Sequence, residues 1–181
     1  QTERKNAIRH TVVDTASRLF YKQGYANTGI NQIIEESGVV KSSVYTAFRS
    51  KEDILMAYLE TSGATTDEAL QAAADKANTP KEKVLAVFDF LADMVRQKEY
   101  YGCNFLNIIS ETPADDLRIV TQIQKQKNGV RNLFTRILEP VGKHELADEI
   151  YTLFEGALIA NKVHQAVWPV LTAKNIAAKL L

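Results

Sequence analysis

Apolar residues recur every three or four positions along almost the whole chain, and this regularity commits it to helices. Ile8, Val12, Ala16, Leu19 and Phe20 keep the spacing until Gly24, a residue suited to end a helix. It resumes in Val84, Phe88 and Leu91, in Ile119, Ile123, Val130, Leu133, Phe134 and Ile137, and in Leu146, Ile150, Leu153, Phe154 and Ala157. Strand-like alternation is weak everywhere. Ser50-Lys51-Glu52-Asp53, Thr79-Pro80-Lys81-Glu82 and Thr112-Pro113-Ala114-Asp115 each set a hydroxyl three residues before an acid, which predicts three helix starts. The expected class is all-α.

Composition narrows the function. At 45% apolar and 24% charged, with 8 Gly and 4 Pro in 181 residues, the chain is a folded protein rather than a disordered or collagenous one. Its 22 basic residues balance its 22 acidic ones, which excludes a globally basic coat. The balance hides a separation. Up to Lys51 there are eight basic residues (Arg4, Lys5, Arg9, Arg18, Lys22, Lys41, Arg49, Lys51) and four acidic ones, a net of +4, so the remainder carries −4. A basic end on an acidic body suits a protein that presents that end to a polyanion; a chance spread of solvated charge is the other reading. The lone Cys103 excludes an intrachain disulfide. No run approaches the roughly 20 apolar residues of a membrane span, and the opening residues lack the layout of a secretory signal, so the expected compartment is the cytoplasm.

The informative segment is Thr28 to Phe48, TGINQIIEESGVVKSSVYTAF, which divides into two short helices around Gly38. Ile30, Ile33 and Ile34 supply one apolar face. On the second helix a 100° projection turns Val40, Val44, Ala47 and Phe48 inward and Lys41, Ser42, Tyr45 and Thr46 outward. Small hydroxyls let a helix approach base edges in a major groove, while Lys and Tyr reach the flanking phosphates. Spacing alone does not separate this from an ordinary helical hairpin with a polar surface.

The stretch Gly24 to Leu55, GYANTGINQIIEESGVVKSSVYTAFRSKEDIL, resembles the DNA-binding signature of the tetracycline-repressor (TetR) family. It has the Gly-Tyr before the second helix, the Thr at its start, Gly-Val in the turn, Tyr-x-x-Phe in the recognition helix and Ser-Lys-Glu-Asp opening the fourth helix. The resemblance implies a three-helix DNA-binding domain over residues 1–50 and a helical effector-binding and dimerisation domain over 51–181. It further implies a homodimeric regulator, most often a repressor, that holds palindromic operator DNA and is released by a small-molecule effector. By position, Lys41, Ser42, Ser43 and Thr46 fall where members read bases or hold nearby phosphates, Tyr45 and Lys51 where they contact the backbone, and Thr28 at a phosphate-facing helix start. The sequence departs from the pattern at Gly29, Val40, Ser42 and Thr46-Ala47, so base specificity does not transfer.

In the body, the helix expected near His144 to Gln165 carries the small residues Gly156, Ala157 and Ala160 beside Leu146, Ile150, Leu153 and Phe154. With a last helix through Ile176, Ala177, Leu180 and Leu181, it would form half of the two-fold interface the family uses; burial within one chain is the alternative. Candidate effector-lining residues are Tyr101, Cys103, Phe105, Asn107, Phe134, Tyr151, Glu155 and Trp168, which suit a small, partly apolar molecule with a hydrogen-bonding group. The stretch Gly102-Cys103 to Asn107 and Glu111 is similar to a Gly-Cys-x-x-x-Asn-x-x-x-Glu pattern in one branch of the family. Some members of that branch sense electrophiles or oxidants through the Cys, so a thiol sensor acting through Cys103 is the alternative function.

An enzyme would need a nucleophile with its base, or metal ligands at workable spacing. His10, His144 and His164 are scattered, and no paired-Cys pattern or Gly-rich phosphate loop occurs. No catalytic residue, metal or cofactor is expected. A helical adaptor for protein partners is the remaining rival, distinguished by indifference to DNA sequence.

Overall fold

The computed structural model describes residues 2–181, the side chain of Thr2 excepted; Gln1, the first residue of the expected DNA-binding domain, lies outside them. The described residues form nine α-helices and no strand, the expected all-α class: α1 (Thr2–Gln23), α2 (Ile30–Ser37), α3 (Lys41–Ala47), α4 (Lys51–Ala74), α5 (Pro80–Val95), α6 (Asn104–Glu111), α7 (Leu117–Leu138), α8 (Ala147–His164) and α9 (Trp168–Leu180). No helix among them is long and apolar enough to cross a membrane.

Two of the three expected starts are built as the residues dictate. Thr79 accepts the Glu82 N–H at 3.3 Å while the Glu82 carboxylate accepts the Thr79 N–H at 3.1 Å, and Pro80 opens α5. Ser50 accepts the Asp53 N–H at 3.1 Å, which starts α4. The third start does not form at Thr112. Its hydroxyl donates to the Ile108 carbonyl at 2.7 Å and so finishes α6, and α7 begins five residues later, where the Asp116 carboxylate accepts the Ile119 N–H at 3.3 Å.

The chain forms two compact units. The first takes the chain up to Gly63 together with Asn104–Ile123. Here α1 packs against both α2 and α3. Its core joins Val12, Ala16, Leu19 and Phe20 of α1 to Ile33, Val44, Phe48, Leu55 and Tyr58, all buried. Phe20 is the hub, with ring centroids 5.2 Å from Tyr25 and 5.7 Å from Tyr58. Truncating such a side chain costs about 3–5 kcal/mol.

The second unit comprises Ala64–Cys103 and Gln124–Leu181, in which α9 packs on α5 and α8. Phe88, Phe134 and Phe154 form a buried ring cluster with centroids 5.8–6.4 Å apart. Ile150, Phe154, Ala157 and Ala177, expected at a two-fold interface, are buried inside this unit. Of the residues expected there Ile176 and Leu180 are exposed, together with Ile159, Val163, Trp168 and Leu171, which the spacing did not single out. Helical spacing identifies an apolar stripe but not which edge of it the same chain covers.

Candidate nucleic-acid interface

The reading head is assembled from α1, α2 and α3. Gly38, with φ 65°, ends α2 in the left-handed region, where a Cβ is strained, and donates its N–H to the Glu35 carbonyl at 3.3 Å. The Ser37 hydroxyl donates to the Ile34 carbonyl at 3.0 Å and accepts the Val39 N–H at 3.3 Å, closing the turn before α3. Val44 and Phe48 anchor α3 in the core. Val40 does not point inward as the projection had it. It is the N-cap residue, with φ −56° and ψ 131°, lies outside the helical wheel, and is 70% exposed beside the polar face.

Lys41, Ser42, Tyr45 and Thr46 are exposed on one face of α3, with Ser43 half-buried at its edge. Thr46 donates back to the Ser42 carbonyl at 2.8 Å. Among the described residues the Lys41 ammonium and the Tyr45 hydroxyl have no protein partner. A cation and a phenol left in water on a short helix of small polar residues are groups able to donate to an external anion.

The other two nominated residues face the protein. Thr28 is fully buried; its hydroxyl donates to the Gly24 carbonyl at 2.7 Å and accepts from Gln23 Nε2 at 3.2 Å, so it braces the α1–α2 turn and presents no hydroxyl outward. Lys51 Nζ donates to the carbonyls of Tyr25 and Thr28, both at 3.0 Å, and lies 4.0 Å from the Tyr25 ring centroid. Burial pushes the Lys51 ammonium below its ordinary pKa, and the Glu111 carboxylate works against that shift. Burial also raises the Tyr25 phenol, with Glu52 and Asp116 adding to the effect.

Three of the cations behind the net +4 are therefore structural. Besides Lys51, Arg18 is paired with Glu36, and Arg9 Nη1 donates to the Ala47 carbonyl at 2.6 Å with its guanidinium 4.3 Å from the Phe48 ring centroid. Arg9 holds the last turn of α3, and sequence pattern gave no sign of it. Arg4, Lys5, Lys22, Lys41 and Arg49 remain exposed.

The effector candidates fall in both units. In the second unit Cys103 and Glu155 meet at Lys127, whose Nζ lies 3.4 Å from Cys103 Sγ and 2.9 Å from the Glu155 carboxylate. Burial works to discharge Lys127, but Cys103 and Glu155 outweigh it and hold the ammonium above its ordinary pKa. Burial raises the Tyr151 phenol, and Glu155 adds to the rise. Phe134 belongs to the ring cluster, whereas Trp168 is half exposed beside His164. Tyr101 is exposed, and Phe105 and Asn107 belong to the first unit, Phe105 buried. A surface hollow of about 290 Å³ over Leu133, Ile137 and Pro140, rimmed by Lys83 and Arg136, is lined by none of these candidates. Among the described residues no three His, Cys, Asp or Glu side chains are placed to share a metal.

Comparison with known proteins agrees with the geometry of the head. Residues 12–58 match the family described as bacterial regulatory proteins, tetR family. The chain is 28% identical over 170 residues to the uncharacterized HTH-type transcriptional regulator YxaF of Bacillus subtilis (strain 168), covering 90% of this chain and 89% of that protein. Over 40 residues it is 52% identical to the HTH-type transcriptional regulator LmrA of the same strain, 22% of this chain and 21% of that one. Its fold is similar to the crystal structure of SCO4454, a TetR-family transcriptional regulator from Streptomyces coelicolor, with a TM-score of 0.86 at 24% identity, covering 95% of this chain and 88% of that one.

Proposed function

The chain belongs to the tetR family of bacterial regulatory proteins and is a transcriptional regulator with a helix-turn-helix DNA-binding domain, and from that premise we propose that it acts as a homodimeric, effector-released repressor of palindromic operators. The observation that carries the proposal is the exposed face of α3, where Lys41 and Tyr45 are unpartnered among the described residues while Arg9 and Lys51 are engaged within the protein. Two such helices one turn of DNA apart, about 34–36 Å, would enter consecutive major grooves. Lys41, Ser42, Ser43 and Thr46 read base edges or hold adjacent phosphates, and Tyr45 reaches the backbone. Lys51 retains one ammonium proton for a phosphate; Thr28 acts by bracing the turn from behind.

In functional terms residues 1–50 are the DNA-binding domain and residues 51–181 the effector-binding and dimerisation domain. The several large apolar residues that α8 and α9 leave in water support self-association through those helices, since exposed apolar surface marks interaction sites. Dimerisation matters because one head with a few free cations binds weakly, whereas two heads on one palindrome act at high effective concentration. The effector is a small, partly apolar molecule with a hydrogen-bonding group, and it acts by preferring one of two dimer states; the affinity change cannot exceed that preference. A dimer over a promoter blocks transcription, which supports repression, and the working compartment is the bacterial cytoplasm. No catalytic role is assigned.

The test is selection of genomic fragments by the purified protein, followed by gel shift on a recovered palindrome and its scrambled version. Preference for the palindrome supports the proposal; equal binding to both duplexes, or to neither, overturns it.

A second reading is favoured by one contact, the Lys127 ammonium 3.4 Å from Cys103 Sγ. Cysteine reactivity follows cationic company and access, and Cys103 is half-buried rather than sealed. In this reading modification of the thiol by an electrophile is the effector signal. Rapid labelling of Cys103 with iodoacetamide in the folded protein, with loss of operator binding that Cys103→Ser does not show, supports it. Slow labelling dismisses it.

A further inference from the structure

Of the Gly102-Cys103 to Glu111 stretch, Glu111 is the residue with no role so far, and the structure puts it against the reading head. It is the last residue of α6, and its Oε2 accepts the Ala26 N–H at 2.7 Å, within the turn that joins α1 to α2. The approach is close: a Cβ on Gly24 would lie 2.9 Å from Glu111 Oε1, and Gly24 has φ 92°. Lys51 grips the same turn through the carbonyls of Tyr25 and Thr28. One short turn is thus held by an acid through its N–H and by a base through its carbonyls, and the two side chains attract one another.

We propose that Glu111 is a positioning residue for operator binding: by fixing the α1–α2 turn and the nearby Lys51 ammonium, it sets the orientation in which α2 and α3 meet DNA. The proposal rests on the DNA-binding reading above. It runs against simple charge arithmetic, because a carboxylate near a polyanion repels it and its removal should strengthen sequence-independent binding. Specific binding instead depends on where the base-reading groups stand, and misplaced groups lose hydrogen bonds that the wrong orientation cannot replace. Loss of Glu111 should therefore separate the two kinds of binding.

The experiment measures affinity of the full-length protein for the selected palindrome and for its scrambled duplex at one salt concentration, with active protein quantified by thermal melting and titration. For Glu111→Ala the expected result is about a tenfold loss on the palindrome, with affinity for the scrambled duplex unchanged or increased. Glu111→Gln keeps an oxygen for the Ala26 N–H and loses only the charge beside Lys51, so its loss should be smaller, about threefold. It also serves if the alanine variant fails to fold. Because Glu111 acts partly through Lys51, its loss should cost less in a Lys51→Met background than in the wild type.

A merely structural Glu111 would lower the melting temperature and leave the ratio of specific to scrambled affinity at the wild-type value; that result overturns the proposal, as does tighter binding to the palindrome. If the wild type itself fails to prefer the palindrome, the DNA-binding reading falls and this one with it. If the wild type discriminates and both Glu111 variants discriminate equally well, only the role of Glu111 falls.

Discussion

The guanidinium of Arg9 lies 4.3 Å from the ring centroid of Phe48, thirty-nine residues further along the chain, while the same side chain donates to the Ala47 carbonyl. This places a cation where the unpaired carbonyls of a helix end attract one, and the helix in question is the short one proposed to read DNA. A charged hydrogen bond at a half-buried site contributes about 1–2 kcal/mol. Arg9→Ala should therefore lower stability by about that amount in urea denaturation. Arg9→Lys should recover only part of it, because an ammonium cannot stack flat on the ring while holding the carbonyl. A lysine variant as stable as the wild type would show that the ring contact contributes nothing.

Salt dependence separates the roles of the exposed residues of α3. If Lys41 holds a phosphate, Lys41→Ala removes one contact per head and two per dimer, and the slope of log affinity against log salt should flatten by about two units. Tyr45→Phe removes a neutral donor, so affinity should fall while the slope stays put. Unchanged affinity in both variants at fixed salt would exclude this face of α3 from the interface.

What was legible in the sequence follows from how local the signal is. Thr79 and Glu82 meet three residues apart, so their capping box could be read directly, and so could Gly38 in its turn. Thr112 carried the same lettering but lay within reach of the α6 carbonyls, which claimed its hydroxyl first. Val40 was misplaced because the helical wheel does not extend to the residue before the first turn. Arg9, Lys51 and Lys127 have partners 38, 26 and 28 residues away, and no spacing rule reports contacts at that distance. The effector candidates are the least legible. Aromatic residues of the core and residues of a binding site have the same composition, so Phe134 and Phe105 could not be told from the hydrophobic interior they occupy.

Self-association can be tested where α8 and α9 leave apolar surface in water. Val163 is 71% exposed and Ile176 39%, and neither supports the core of its own unit. Val163→Asp and Ile176→Asp should leave the melting curve of the separated chain nearly unchanged. Each should shift the protein toward monomer in sedimentation velocity, because an unpaired carboxylate in a two-fold contact appears twice and repels itself. Operator affinity should then fall at least tenfold, since the second head is no longer tethered. If both variants sediment as the wild type does, the interface lies elsewhere.

Acid stability should register the contact that Arg118 makes with the start of α4. Its guanidinium donates to Glu52 at 2.6 Å and to Asp53 at 2.8 Å. The Arg118 hydrogen bond, helped by the Arg49 N–H and opposed by slight burial, holds the Asp53 carboxyl below its ordinary pKa. A carboxyl whose folded pKa is depressed contributes its stability above the unfolded value, near 3.9, and loses it as pH falls through the lower folded value. Arg118 is half exposed and Asp53 half-buried, so the effect at neutral pH is partly screened and modest. Arg118→Met should accordingly lower the melting temperature modestly at pH 7 and by progressively less as pH falls through and below the unfolded carboxyl value, followed by circular dichroism at low ionic strength. Added salt should shrink the difference between variant and wild type, since the lost attraction lies within reach of mobile ions. No difference at pH 7, or one that stays the same as pH falls, would mean that Asp53 gains nothing from the guanidinium beside it.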